Sequence, residues 1–148
     1  MTISLGELGE QLVAKWLEKQ DYQILHYRWR CRWGEIDLIA RQKSHPTLVF
    51  VEVKTRSDHS WDSQGLDAIA SRKQKKISQT SALFLAENPQ LADFYCRFDV
   101  ALVHYQKQNS TISNHRRDTQ KFLMIENSSQ GYSLILENYL ENAFDFYD

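Results

Sequence analysis

Proline is scarce, with two residues in 148, and glycine is little commoner at five. That excludes collagen-like chains and Pro/Gly-rich low-complexity polymers. Only two cysteines occur, Cys31 and Cys96, with no C-x-x-C pair and no metal-type spacing. A disulfide scaffold and a cysteine-based zinc site are therefore not expected, and two unpatterned thiols fit the reduced cytoplasm. Long apolar runs are also missing. Stretches such as Leu48–Val51 fall far short of the ~20 residues a spanning helix needs. The opening MTISLGELGE carries acids early and lacks a basic region followed by an apolar one, so no signal peptide is expected. Charge of one sign is lacking too: 18 basic and 19 acidic side chains give a net charge of −1. Taken alone, that balance argues against a generally basic nucleic-acid binder.

What remains is an ordinary globular composition, 42% hydrophobic and 25% charged. The length fits a single domain spanning 1–148, large enough to bury roughly 68–70% of the surface its unfolded chain exposes.

The spacing predicts a first helix over Leu5–Lys19. Ser4-Leu5-Gly6-Glu7 has the capping-box pattern, and Leu5, Leu8, Leu12 and Trp16 build one apolar face. Glu10 falls beside Leu17 at the margin of that face. Strands are predicted at Tyr22–Trp29, Glu35–Ala40 and Leu48–Thr55, the last two joined by Ser44-His45-Pro46-Thr47 as an antiparallel hairpin. Residues 56–67, with His59 and Trp61, read as a loop. A second helix covers roughly Ala68–Ala86 and stops at Asn88-Pro89. Cys96–Tyr105 is a strand, residues 106–131 a polar loop or hairpin insertion, and Phe122–Glu126 with Tyr132–Asn138 a further hairpin. The acidic, aromatic C-terminus is expected to end in a helical turn. This order gives an α/β fold with a mixed central β-sheet flanked by helices.

The chemistry concentrates in the hairpin. With period-two alternation, Glu52 and Lys54 share a face with Leu48 and Phe50, while Val49, Val51 and Val53 take the other. On the preceding strand Ile36, Leu38 and Ala40 are expected on one face, with Glu35 and Asp37 opposite. A hairpin register brings Asp37 opposite or diagonal to Glu52. Two carboxylates and an ammonium in a buried sheet are costly unless compensated. Mg²⁺ (or Mn²⁺), which takes one or two protein carboxylates and keeps several waters, is one compensator. A plain Glu–Lys or Asp–Lys ion pair is the other.

GEIDLIA (34–40) followed by FVEVKTR (50–56) resembles the D…E-x-K core of the PD-(D/E)xK nuclease superfamily. GELGEQLVAKWL (6–17), RFDV (97–100) and ENAF (141–144) extend the resemblance over most of the chain, to the bacterial UPF0102 (YraN-like) family, which is similar to archaeal Holliday junction resolvases. The resemblance implies a restriction-endonuclease-like core and a metal-dependent DNA endonuclease, with branched or repair intermediates among its substrates. It assigns the metal to Asp37, Glu52 and the backbone carbonyl of Val53, and catalysis to Lys54. Glu10 matches the helix glutamate that approaches the metal. A homodimer is expected by analogy. Arg28 stands where the family commonly has Asn. A non-catalytic DNA-binding or interaction module that keeps the nuclease fold is the alternative.

Candidate nucleic-acid contacts lie close to this core. Arg28-Trp29-Arg30-Cys31-Arg32-Trp33 interleaves cations that neutralise phosphates with aromatics that stack on bases. Arg56 follows Lys54 by two residues, and Lys73 and Lys76 belong to the basic run of the second helix. The near-zero net charge hides an asymmetry. Residues 1–76 carry 13 basic and 10 acidic side chains, and residues 77–148 carry 5 and 9. The bases gather around the presumed site, and the acids lie in the second half.

Overall fold

A computed structural model describes residues 3–57, 71–107, 124–127 and 131–145. Helix α1 (Leu5–Lys19) leads into strands β1 (Tyr22–Cys31), β2 (Gly34–Gln42) and β3 (Thr47–Arg56). Helix α2 (Ser71–Glu87) and a 3₁₀ turn at Pro89–Leu91 lead on to β4 (Tyr95–Lys107), β5 (Met124–Asn127) and β6 (Tyr132–Phe144). The six strands form one sheet in the order β1-β2-β3-β4-β6-β5. β3 and β4 are parallel, as a crossover through a helix requires, and every other pair is antiparallel. The expected mixed α/β sheet is the one observed.

α1 begins where the capping box places it. The Ser4 hydroxyl accepts from the Glu7 N–H at 3.1 Å, satisfying one of the first-turn donors. Its face of Leu8, Leu12, Val13 and Leu17 packs with Leu38, Ala40, Val49, Val51, Ala101 and Val103 on one side of the sheet. α2 covers the other side, where Ile77 and Phe84 meet Ile36, Ile39, Leu48, Phe50 and Phe98. The central strands are thus buried on both faces, so they read as nearly continuous apolar runs. Phe84 sits at the hub of the second layer, edge-on to Trp29, His26 and Phe50.

Three expectations change. Residues 139–144 are strand, not helix: β6 continues to Phe144 beside β4, and an ending turn over 146–148 lies outside the described residues. β4 runs on to Lys107, two residues past its expected end, while the expected second hairpin forms from β5 and β6. Residues 108–123, with Arg116 and Arg117, lie outside the described residues, as do His59, Trp61 and 68–70 of the predicted second helix. Third, Ile36 does not share a face with Leu38 and Ala40. It packs in the α2 layer and they pack in the α1 layer. The faces exchange at Arg28 and Asp37, which lie between the pairs Tyr27–Leu38 and Trp29–Ile36. Arg28 is in the left-handed region (φ 51°), costing about 1–3 kcal/mol in a residue without glycine's freedom.

A second kink is held by a buried polar cluster. Asp99 is fully buried and accepts two bonds from the Arg97 guanidinium, both at 2.9 Å. It also accepts from the Tyr139 hydroxyl at 2.6 Å and from the Asn142 N–H at 2.9 Å. Arg97 donates in turn to the Tyr22 hydroxyl. Asn142 is left-handed (φ 52°), where the β4–β6 register shifts between Phe98 and Val100. The RFDV and ENAF motifs therefore meet as one structural device, with Asp99 tying the β6 bulge to β4.

Candidate functional site

The β2–β3 ladder pairs Arg41 to Leu38 with Leu48 to Val51 and then stops. The next step of the same register sets Asp37 opposite Glu52. Instead of continuing the ladder, Asp37 turns its carboxylate onto the neighbouring strand, and Oδ2 accepts the Val53 N–H at 2.8 Å. The backbone of Val53 thus lies just past the last strand pair, beside the carboxylate. Glu52 follows Phe50 on the α2 side and is buried.

α2 supplies the facing cations. Lys73 lies one helical turn before Ile77, on the stripe that continues through Thr80 and Ser81 to Phe84. The stripe is apolar or small wherever it covers sheet, and Lys73 extends it over the end of β3. Its Nζ donates to Glu52 Oε1 at 2.8 Å, and Lys54 Nζ lies 3.8 Å from the same oxygen.

α1 supplies the third carboxylate. Gly9 lets the helix approach β3, because a Cβ there would collide with the Thr55 hydroxyl oxygen. Glu10, one residue on, is buried and held by Arg28, whose Nε lies 2.8 Å from Oε1 and Nη2 3.5 Å from Oε2. Arg28 also reaches Glu7 at 3.6 Å.

The electrostatics follow from this packing. Burial pushes the Asp37 carboxyl up to about 8. The neighbouring Glu52 charge adds to the rise, the Val53 N–H opposes it, and Glu10 contributes further in the same direction. Burial also raises Glu10 against the pull of Arg28. Lys54 is lowered, first by burial and then by its contact with Lys73. Lys73 is raised: burial works against its charge, and the bonds to Glu52 and Lys54 outweigh it. A carboxyl driven up by burial and then by neighbouring carboxylates marks a site short of positive charge, and a divalent cation on oxygen donors fits that need.

Asp37, Glu52, Lys54 and the Val53 backbone therefore come together at one strand end, and Lys73 joins them. Glu10 faces the same gap from α1 but is turned to Arg28. Among the described residues no group of three His, Cys, Asp or Glu side chains stands ready to hold an ion. The remaining candidates are more dispersed. Arg30 pairs with Glu35 at 2.7 Å and is largely exposed. Arg32 lies over the Trp33 ring at 4.7 Å, at the tip of the β1–β2 hairpin. Arg56 is exposed at the end of β3, and Lys76 is exposed on α2 beside Gly34. The pairings Arg28–Glu10 and Lys73–Glu52 were not foreseen. For Lys73 the i, i+4 spacing to Ile77 was the available signal. For Arg28, whose left-handed backbone swings its side chain toward α1, there was none.

A mixed sheet covered by helices on both faces, with D…E-x-K where two strands part, is a restriction-endonuclease-like core. Within that class the chain belongs to the uncharacterised protein family UPF0102, which it matches over residues 9–103. It is similar to a UPF0102 protein of Trichodesmium erythraeum, 45% identical over 96% of this chain and 89% of the other. A UPF0102 protein of Synechocystis sp. is 47% identical, with 95% and 97% covered, and one of Acaryochloris marina is 43% identical, with 96% and 90% covered. No helix among the described residues is long and apolar enough to cross a membrane.

Proposed function

We propose that the protein is a metal-dependent DNA endonuclease that hydrolyses phosphodiester bonds at the gap between β2 and β3. The observation that carries this reading is the convergence of Asp37 and Glu52 beyond the last β2–β3 pair, with Lys54 beside them. Asp37, Glu52 and the Val53 carbonyl would hold Mg²⁺ or Mn²⁺. When bound, the ion offsets charge building on the phosphate and makes water a better nucleophile. Asp37 is oriented for this by the Val53 N–H, and Glu52 by its burial on β3. Lys54, lowered by burial, is suited to position the attacking water or to share the phosphate charge. Arg32 with Trp33 offers a cation and a stacking ring at the hairpin that leads into Asp37, which suits DNA with unpaired bases near the cut.

The pairing of Glu52 with Lys73 and of Glu10 with Arg28 favours a second reading, a DNA-binding module whose acids are neutralised by its own bases. One assay separates the two. The protein is incubated with duplex, single-stranded, flap and four-way DNA in Mg²⁺ or Mn²⁺. The nuclease reading expects cleavage that Asp37→Ala, Glu52→Ala and Lys54→Met each reduce by about 100-fold or more, with salt-sensitive binding retained. Binding without cleavage on all four substrates would leave the module.

A further inference from the structure

We propose that Lys73 is a built-in competitor for the divalent ion: its ammonium holds Glu52 until an ion arrives, then leaves that carboxylate for a phosphate of the nucleic acid. The inference rests on the reading of Asp37 and Glu52 as ion ligands.

Two ammonium groups converge on one oxygen. Lys73 Nζ is 2.8 Å and Lys54 Nζ 3.8 Å from Glu52 Oε1. Asp37, by contrast, is met by the backbone N–H of Val53. An ion taking Glu52 as a ligand would bring two more positive charges against the same carboxylate, which favours withdrawal of one ammonium.

The geometry selects which. The Glu52 side chain is 8% exposed and fixed on a central strand, so it cannot follow either lysine into solvent. Lys54 is 20% exposed and belongs to the same strand. Lys73 is 43% exposed, comes from the first turn of α2, and carries a flexible four-carbon stem. It can trade Glu52 for water or phosphate with little rearrangement. Without an ion, Lys73 and Lys54 already offset the charge of Glu52. With an ion, the site carries surplus positive charge, and a phosphodiester is the group that would absorb it. Ion and substrate would then enter the site together, and the released Lys73 would stand at its rim.

The test is a titration of the protein with Mn²⁺ alone, following free Mn²⁺ by electron paramagnetic resonance. Lys73→Gln should bind Mn²⁺ about tenfold more tightly than wild type, the scale of removing one nearby charge in a well-screened site. Lys73→Arg, which keeps the charge, should bind like wild type, and Asp37→Asn should abolish binding. Equal or weaker binding by Lys73→Gln, beside a wild type that binds, overturns this proposal and leaves the ion site standing. Binding by neither protein, or binding that survives Asp37→Asn, overturns both. A second measurement needs no variant. The Lys73 amine of the wild-type protein should react faster with an amine-modifying reagent once Mn²⁺ saturates the site, and an unchanged rate overturns the proposal.

Discussion

Replacing Asp37 by Asn should stabilise the protein when no metal is present, and should do so increasingly as pH rises. The Asn carbonyl keeps the shape of the side chain and an acceptor for the Val53 N–H, so the substitution removes chiefly a charge. Burial, then the charge of Glu52, and to a lesser extent that of Glu10, move the Asp37 carboxyl from its ordinary 3.8 to about 8, against the pull of the Val53 bond. The folded chain therefore binds a proton that the unfolded chain has released between these values. Stability falls as pH rises through this window and levels off above it. At 1.36 kcal/mol per tenfold change in acidity the ceiling is ~6 kcal/mol. Water entry and relaxation around a site at a strand end reduce that to about 2 kcal/mol. For a chain of this size that corresponds to ~4–8 °C in melting temperature. The assay is a series of thermal melts in chelator from about pH 5 to about pH 8.5, covering the upper part of that window and its end. The advantage of Asp37→Asn should widen across it, and added Mg²⁺ should raise the wild-type melting temperature without raising that of the variant. A variant that melts at or below wild type at the upper pH, or an advantage independent of pH, would mean that Asp37 is not held protonated in the folded chain.

Gly9→Ala should cost about 1–3 kcal/mol, read as a lower denaturant midpoint, because its methyl group meets the Thr55 hydroxyl between α1 and β3. Asp99→Ala should cost about 3–5 kcal/mol or prevent folding, since it leaves Arg97 half-buried without its bidentate partner. Circular dichroism melts would show it, and a loss below 1 kcal/mol would mean that the β6 bulge holds without its tie. Ser4→Ala should cost about 0.5–2 kcal/mol through the lost cap on α1, by the same measurement.

Much of this fold was legible locally. α1 begins and ends where its capping box and apolar spacing place it, because those signals depend on a few neighbouring residues. The β2–β3 hairpin was likewise set by two apolar runs and a short turn, and its register ends at Leu38–Val51, one step short of Asp37 and Glu52. The rest depends on tertiary contacts. β6 was missed beyond Asn138 because Glu137, Asn138, Glu141 and Asn142 break its alternation. The strand survives through pairing with β4 and through Asp99, which lies 43 residues away from the Asn142 it holds. Asp99 itself looked like the polar half of an alternating strand, and only the sheet's burial on both faces makes it a core residue. In the candidate site, the carboxylates and Lys54 were visible as a spacing pattern. Their partners Lys73 and Arg28 come from elements 21 and 18 residues away, and nothing in local sequence fixes such contacts.

If the proposed chemistry holds, Asp37 and Glu52 share one divalent cation. Anomalous diffraction from crystals soaked in Mn²⁺ tests it most directly. One strong peak is expected between the two carboxylates, beside the Val53 carbonyl. An ordered site that shows no peak there, with Lys73 still bonded to Glu52, would contradict it.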